Sequence, residues 1–228
     1  MLATYERDGA VGVISLDDGK VNVLSIAMLT EINAALDRAE TDGTVVVLAG
    51  RTGIFSAGFD LKVIQAAGPE TVAMLEAGFK LAERLLAFPT PVVIACTGHA
   101  IAMASFLLLS GDFRIGAAGE FRITANEVAI GLTMPRAAVE ICRQRLAPAY
   151  FNRAVLLAET FAPGGAVAAG FLDRVVLPDA VVDTARKTAH ELAKLDLLAH
   201  AASKPRVRGD ALAAIRAGRE ADLSGLSG

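Results

Sequence analysis

The sequence has little cysteine: its 228 residues include two, Cys96 and Cys142. Two cysteines are too few for a disulfide scaffold, and neither has a neighbour at the spacing of metal ligands. Both lie in apolar stretches, so we expect buried side chains in a protein of a reducing compartment. This composition excludes a small disulfide-stabilised secreted domain and predicts a cytoplasmic location.

Charge of one sign is not in excess, since 22 basic and 25 acidic side chains give a net charge of −3. Such a chain lacks the positive field that drives binding to nucleic acid. Long apolar runs are also missing, because each is interrupted well before the ~18 residues that a membrane span needs. Residues 1–9 carry charges where a signal peptide has its apolar core. We therefore expect neither nucleic acid nor a membrane as a partner.

Motifs for phosphate binding and for common nucleophiles are absent as well. The chain contains neither Gly-x-x-x-x-Gly-Lys nor Gly-x-Gly-x-x-Gly. Ser105 and Ser110 lie in an apolar helix without the Gly-x-Ser-x-Gly turn that exposes a nucleophile. His190 and His200 are interpreted as solvated helix positions, whereas His99 lies beside a turn and is ambiguous. The sequence thus predicts no metal and no redox cofactor.

Apolar residues are abundant, at 54% of the chain, and their periodicity predicts alternating strands and helices. Continuous β-branched runs at 44–49 and 92–96 indicate strands that are buried on both faces. Alternation within residues 2–16 indicates a hairpin. Helices are predicted to begin after Ser25, which can cap, and at Pro69.

Glycine and short polar residues predict the connections between these elements. Segment 50–58 is interpreted as turn-rich, Gly98 as a turn, and Asp60 as the start of a short helix. Further elements are an apolar helix at 102–109 and short strands at 112–115, 120–123 and 174–177.

The elements alternate through residue 178, and Ala-rich amphipathic helices follow. We interpret 1–178 as an α/β core and 179–228 as a helical region of the same functional unit. Periodicity alone does not separate a doubly wound sheet from a β-spiral. The helical region has apolar stripes that one small domain does not fully cover, which favours self-association: Leu192, Leu195 and Leu198, then Ala211, Leu212 and Ile215.

Three segments carry the features of a catalytic site: 55–61, 98–104 and 126–132. Each is a turn that follows a buried strand and leads to or lies beside a helix, where backbone N–H groups are free to hold developing negative charge. Two such groups aimed at one point form an oxyanion hole. Glu127 is a carboxylate in an apolar setting, where burial raises the pKa and suits proton transfer. A helix cap or a surface ion pair is the alternative interpretation of Glu127.

Together with two further motifs, segment 55–61 resembles the pattern of the crotonase (enoyl-CoA hydratase/isomerase) superfamily. The resemblance is carried by Phe-Ser-Ala-Gly-Phe-Asp-Leu at 55–61, Thr-Pro-Val-Val-Ile-Ala at 90–95 followed by Gly98, and Asp-Phe-Arg-Ile at 112–115. It implies an α/β fold with a crotonase-like β-β-α spiral core and a C-terminal helical region used in trimer assembly. The expected oligomer is a homotrimer or a hexamer.

The resemblance also implies an acyl-CoA thioester substrate, with coenzyme A bound as part of that substrate and no separate cofactor. The oxyanion positions fall on the N–H groups of Ala57 and Met103. Substrate-binding residues are expected in and beside the same segments: Ser56, Gly58, Phe59, Asp60, Leu61, Phe106 and Asn126.

Two departures from the family pattern decide the predicted reaction. The glycine run at the second oxyanion position is replaced by Ala102-Met103-Ala104. Hydratases similar to this protein use two glutamates, and these positions fall on Phe106 and Glu127. A phenylalanine does not activate water, and Asn126 followed by Glu127 resembles the Δ3,Δ2-enoyl-CoA isomerase branch, whose reaction needs one base.

The sequence therefore predicts an enoyl-CoA isomerase with Glu127 as its base. A hydratase or another crotonase-type acyl-CoA enzyme is the alternative, and a non-catalytic acyl-CoA-binding subunit is the second alternative. Lys204 is interpreted as a position on a solvated helix face, with contact to the CoA phosphates as the other interpretation.

Overall fold

Residues 1–226 are described by a computed structural model, and a hairpin opens the larger of its two sheets. Strands β1 (Ala3–Asp8) and β2 (Val11–Leu16) pair antiparallel. Gly9 in the turn has a φ of +59°, a conformation that glycine adopts without steric cost. The hairpin prediction is confirmed.

Two sheets form the centre of the molecule, and apart from the β1–β2 hairpin their strands pair parallel. The larger has six strands in the order β1, β2, β3 (Val45–Ala49), β5 (Val92–Cys96), β7 (Phe113–Ala117) and β9 (Arg174–Val176). The smaller has three, β4 (Gly53–Ser56), β6 (Gly98–Ile101) and β8 (Ile123–Thr124). From β3 to β8 the strands thus enter the two sheets alternately, which is the β-β-α spiral implied by the resemblance.

The smaller sheet corrects two predictions. Segment 50–58 and Gly98 are not simply turns, because β4 pairs parallel with β6. A side chain at Gly98 would overlap the backbone of Gly53, so glycine here permits close approach of two strands. The strand predicted at 120–123 begins at Ile123.

Nine α-helices flank the sheets within the described residues. Ser25 caps α1 (Ile26–Thr41) by accepting the Met28 N–H at 3.2 Å, as predicted. Asp60 caps α2 (Leu61–Ala66) by accepting the Lys62 N–H at 2.9 Å, also as predicted. The remaining helices are α3 (Pro69–Ala87), α4 (Met103–Leu109), α5 (Arg136–Arg143), α6 (Pro148–Val155), α7 (Pro163–Ala169), α8 (Val181–Leu192) and α9 (Leu197–Leu226).

The C-terminal helices complete the core instead of standing apart from it. Val181, Ala185 and Ala189 of α8 are buried against the larger sheet, and α9 packs against α3 and α5. Positions 227 and 228 of the predicted helical region lie outside the described residues. No helix among residues 1–226 is long and apolar enough to cross a membrane.

The two apolar stripes of the C-terminal helical region differ in how far they are buried. Leu212 and Ile215 are buried within the chain, so this stripe does not need a second subunit to cover it. Leu195 and Leu198 are 50% and 84% exposed. The trimer stays a prediction, and it is now supported only by the exposed stripe that contains Leu195 and Leu198.

The interpretation of Lys204 as a position on a solvated helix face is wrong. Its side chain is 6% exposed and pairs with Asp112 at 2.8 Å. The ammonium also donates to the carbonyls of Phe88 at 2.7 Å and Thr90 at 3.1 Å, and Arg208 pairs with the other oxygen of Asp112 at 2.9 Å. This buried network fixes α9 to the loop between α3 and β5, so Lys204 is not available to a CoA phosphate.

Replacing Lys204 by methionine is expected to lower the free energy of unfolding by about 3 kcal/mol. The change removes one partner of a buried ion pair and leaves two carbonyls without their donor. Lys194→Met is the matched control, because Lys194 is 69% exposed and pairs with Glu191 at the C-terminal end of α8. Its effect is expected below ~1 kcal/mol. Urea denaturation of both variants measures the difference, and equal effects would contradict the structural role of Lys204.

Candidate active site

A largely apolar cavity of about 560 Å³ lies between α2, α3, the loop that follows β8, and α9. Its walls include residues of all three sequence segments that were predicted to form the site. Pockets of this size and polarity hold small ligands with apolar chains. The segments, although distant along the chain, are thus brought to one place.

Glu127 lies in the wall of this cavity and is 7% exposed. Burial raises the pKa of its carboxyl from 4.5 to about 7. Its Oε2 atom has no hydrogen-bond partner within residues 1–226. The alternatives of a helix cap with a side-chain bond and of a surface ion pair are therefore not observed, and the carboxyl is poised to exchange a proton near neutral pH.

Aromatic rings line the cavity beside this carboxyl. Phe106 is 1% exposed, and its ring stacks on Phe79 with centroids 6.3 Å apart. Phe59 meets Phe79 edge to face, also at 6.3 Å. The position at which hydratases carry their first glutamate is thus occupied by a ring with no group that holds water.

The oxyanion assignment of Ala57 is corrected by the structure. Its N–H donates to the Val21 carbonyl at 2.9 Å, so it is not free to bind a ligand. The N–H groups of Phe59 and Met103 make no hydrogen bond within the described part of the chain. Met103 begins α4, where no preceding helical carbonyl is present to accept its N–H.

Gly58 brings these two free groups together. A Cβ placed on Gly58 would lie 3.3 Å from the Met103 nitrogen, so Phe59, the next residue, is adjacent to the start of α4. Ala102 has a φ of +51° at the position where the family pattern has glycine. An alanine in this conformation stores ~1–3 kcal/mol of strain, and the Met103 N–H remains without an acceptor in the described residues.

The other predicted binding residues divide into two groups. Leu61 and Asn126 line the cavity with Phe59 and Phe106. Ser56 does not, because its hydroxyl donates to the Asn22 carbonyl at 2.6 Å and accepts the Gly58 N–H at 3.0 Å. Asp60 caps α2 outside the cavity. The structure therefore does not support their predicted contact with substrate, and both residues fix the loop that carries Phe59.

The histidines lie away from this cavity. His99 accepts the Arg122 N–H at 3.0 Å, and His190 approaches Asp8 at 3.3 Å on the surface. His200 is half-buried instead of solvated, and burial lowers its pKa. No cluster of three or more His, Cys, Asp or Glu side chains suited to a metal occurs in residues 1–226. Both cysteines are buried, as predicted.

A family model described as enoyl-CoA hydratase/isomerase matches residues 6–226. The chain belongs to the enoyl-CoA hydratase/isomerase family. The resemblance drawn from the sequence motifs is thereby confirmed, and members of this family act on acyl-CoA thioesters.

Solved structures confirm the crotonase fold of this enoyl-CoA hydratase/isomerase family member. A probable enoyl-CoA hydratase of Mycobacterium tuberculosis H37Rv gives a TM-score of 0.97 at 48% identity, over 100% of this chain and 97% of that one. A structure of the same protein described as an enoyl-CoA isomerase gives 0.93 at 49% identity, over 99% and 97%. One similar protein is thus named for both reactions.

Curated relatives likewise divide between the two activities. Mitochondrial enoyl-CoA delta isomerase 1 of Rattus norvegicus is 29% identical over 191 residues, which are 82% of this chain and 66% of the rat protein. A probable enoyl-CoA hydratase of Bacillus subtilis is 33% identical over 129 residues, 55% of this chain and 47% of that one. This chain therefore spans between about half and two thirds of the length of these two relatives.

The α9 wall of this family member's cavity was missed by sequence reasoning. Arg219, Asp222 and Leu223 line the cavity, although they lie about 90 residues beyond Glu127. The sequence contains a weak signal for them, since Leu212 and Ile215 continue an apolar stripe that must be buried somewhere. Helical periodicity does not say against which element that stripe packs.

Proposed function

We propose that this chain is an enoyl-CoA isomerase that moves the C3–C4 double bond of a fatty acyl-CoA to C2–C3. The observation that carries the proposal is one buried carboxyl, Glu127, with a pKa raised to about 7 in an apolar cavity. Asp222 also lines the cavity, but it accepts the Arg136 N–H at 2.7 Å and is already engaged. An isomerisation of this kind needs one group that accepts and returns a proton.

In the proposed reaction the Glu127 carboxylate removes a proton from C2. The electron pair of that C–H bond forms the enolate of the thioester, and the negative charge moves to the thioester oxygen. The free N–H groups of Phe59 and Met103 are the proposed donors to this oxygen. The protonated Glu127 then gives the proton to C4, and the double bond is left between C2 and C3.

The alternative of a hydratase is favoured by the names of several relatives but has less support in the site. Hydration adds a water molecule at C3, and two carboxylates hold that water in hydratases similar to this protein. Phe106 occupies one of those two positions with an apolar ring. The alternative of a non-catalytic acyl-CoA-binding subunit is suggested by Ala102-Met103-Ala104, which replaces the glycine run. The Met103 N–H is nevertheless free within the described residues.

A panel of acyl-CoA thioesters tests these proposals directly. A 3-enoyl-CoA, crotonyl-CoA and a saturated acyl-CoA are each assayed for isomerisation, hydration and loss of the thioester. We expect isomerisation of the 3-enoyl-CoA to dominate. Binding of all three without turnover of any would support the non-catalytic subunit instead.

The pH dependence of isomerisation is expected to follow Glu127. Because the base must be ionised, kcat/KM is expected to decrease as the pH falls through about 7, by about tenfold per unit well below the pKa. With a carboxyl of ordinary pKa, 4.5, kcat/KM would stay nearly constant until the pH approaches that value. The measurement is kcat/KM between pH 4 and 9, and an acid limb near 4.5 would show that burial does not set the proton affinity.

Gly78 of α3 is expected to position the proposed oxyanion donor Phe59. A Cβ at Gly78 would overlap the Phe59 ring, so Gly78→Ala displaces that ring and the loop behind it. Misplacement of a reacting group by a fraction of an ångström costs rate, and we expect kcat/KM to fall by about tenfold or more. Gly209→Ala is the control, since an added Cβ there has nothing within 4 Å. That control is expected to stabilise α9 by about 1 kcal/mol and leave turnover unchanged.

A further inference from the structure

Arg219 is a buried cation in the wall of the cavity without a close acceptor. Its side chain is 12% exposed, and it lines the cavity from α9. Its ion contacts are long, 3.7 Å to Glu76 and 3.7 Å to Glu83. Its guanidinium makes no hydrogen bond of 3.5 Å or less within residues 1–226, and its Nε atom is fully buried.

Two other buried arginines make short contacts through their guanidinium groups. Arg208 also lies on α9 and is also 12% exposed. It donates to the Leu86 carbonyl at 2.8 Å and pairs with Asp112 at 2.9 Å. Arg114, 4% exposed, is bonded to both oxygens of Asp173. A buried donor without an acceptor costs free energy, so Arg219 differs from these two in a way that needs a reason.

The acidic neighbours of Arg219 are each held more closely by another cation. Glu76 pairs with Lys80 at 2.8 Å, and Glu83 pairs with Arg216 through its Oε1 atom. The Oε2 atom of Glu83 faces Arg219 at 3.7 Å and accepts no hydrogen bond within residues 1–226. Asp222, one turn further along α9, is bonded to the start of α5. The guanidinium thus keeps donors for a group that enters the cavity.

The chemistry of that group follows from the surroundings. A carboxylate would meet the charges of Glu76 and Glu83 and would lose its own hydration. An uncharged oxygen loses less hydration and still accepts a charge-assisted hydrogen bond. Phe79 and Leu75 of α3 line the same cavity, which suits an acyl chain better than the phosphates of coenzyme A.

We propose that Arg219 donates a hydrogen bond to a hydroxyl oxygen on the acyl chain, so that the site takes hydroxylated acyl-CoA thioesters. This inference rests on the proposed function only in assuming that the cavity holds the acyl chain. The hydroxyl lies beyond the reacting carbons, since those are placed at Glu127.

The experiment compares binding of saturated ligands, so no turnover is needed. Octanoyl-CoA and its 6-, 7- and 8-hydroxy derivatives are titrated calorimetrically into the wild type, Arg219→Met, Arg219→Lys and Arg216→Met. Arg216→Met is the matched control, because Arg216 lies one turn earlier on α9, pairs with the same Glu83 and is 53% exposed. We expect one hydroxy isomer to bind to the wild type more tightly than octanoyl-CoA.

The quantity compared is the ratio of the dissociation constants of octanoyl-CoA and of that hydroxy isomer. This ratio is expected to change by about tenfold or more in Arg219→Met and by less in Arg219→Lys. It is expected to stay constant in Arg216→Met. Unchanged binding of octanoyl-CoA by Arg219→Met supports an intact fold. Equal weakening of both ligands would place the acceptor in coenzyme A and overturn the inference. So would tighter binding of the octanedioic monothioester than of any hydroxy isomer, or a ratio that no variant changes. Failure of octanoyl-CoA to bind to the wild type would defeat the proposed acyl-CoA site as well.

Discussion

Replacing Glu127 by glutamine is expected to lower kcat for isomerisation of a 3-enoyl-CoA by ~10²–10⁴-fold, the usual cost of losing a general base. Glutamine has nearly the same shape but does not accept a proton. Glu127 is 7% exposed, and its Oε2 atom makes no hydrogen bond in the described chain, so little other than proton transfer is removed. Steady-state kinetics with purified variants give the result.

The same substitution is expected to stabilise the fold at pH 8. Burial raises the pKa of Glu127 from 4.5 to about 7, so the ionised form that is present at pH 8 is disfavoured in the folded state. The free energy of unfolding is therefore expected to rise by up to about 3 kcal/mol, the energy equivalent of that shift. This penalty is absent below pH 4.5, where the carboxyl is neutral in both the folded and the unfolded states.

Glu140→Gln provides the control, because Glu140 lies on α5 and pairs with Arg143 on the surface. It is expected to change neither kcat nor the stability by more than a small amount. If Glu127→Gln turned over the 3-enoyl-CoA at the rate of the wild type, the base would have to lie elsewhere in the cavity.

The wild-type protein is expected to hydrate crotonyl-CoA ~10²–10⁴-fold more slowly than it isomerises a 3-enoyl-CoA, which corresponds to roughly 3–5 kcal/mol of barrier. Addition of water requires a polarised water molecule beside C3, and a phenylalanine stands where one of the two water-holding carboxylates is found in hydratases similar to this protein. The ring of Phe106 is buried and stacked on Phe79, so it is fixed in place. An apolar ring also keeps water from the enolate and favours return of the proton at C4.

The comparison needs evidence that crotonyl-CoA enters the site. Its inhibition constant in the isomerisation assay supplies that evidence, measured on the same preparation. Comparable kcat/KM values for the two reactions would show that Phe106 does not decide the chemistry. A hydratase, or another crotonase-type enzyme, would then be the better proposal.

Several features of the fold could be predicted because they depend on neighbours along the chain. Ser25 and Asp60 cap the helices that follow them, since a short polar side chain satisfies N–H groups two or three residues away. The runs that form β3 and β5 are apolar throughout, as strands covered on both faces must be. The three segments that line the cavity were found in the same way, each as a turn beside a buried run.

Other features were decided only when distant parts of the chain met. The Ala57 N–H is taken by Val21, which lies 36 residues earlier, so the free donor moves to Phe59. Gly98 looked like a turn because glycine is common in turns, but it permits a close approach to Gly53 across the smaller sheet. In each case the residue type was informative, while its partner was not encoded nearby.

The sequence by itself determined the family, the buried carboxyl of Glu127 and the phenylalanine at position 106. The tertiary structure decided which groups surround them, above all through α9. Its Lys204 is buried on Asp112, and its Arg219 enters the wall of the cavity. The physical reason is that periodicity records which face of a helix is buried, whereas the partner on that face depends on long-range packing. From the sequence alone, a charged residue on such a helix is therefore interpreted as solvated, because the element that covers it is not known.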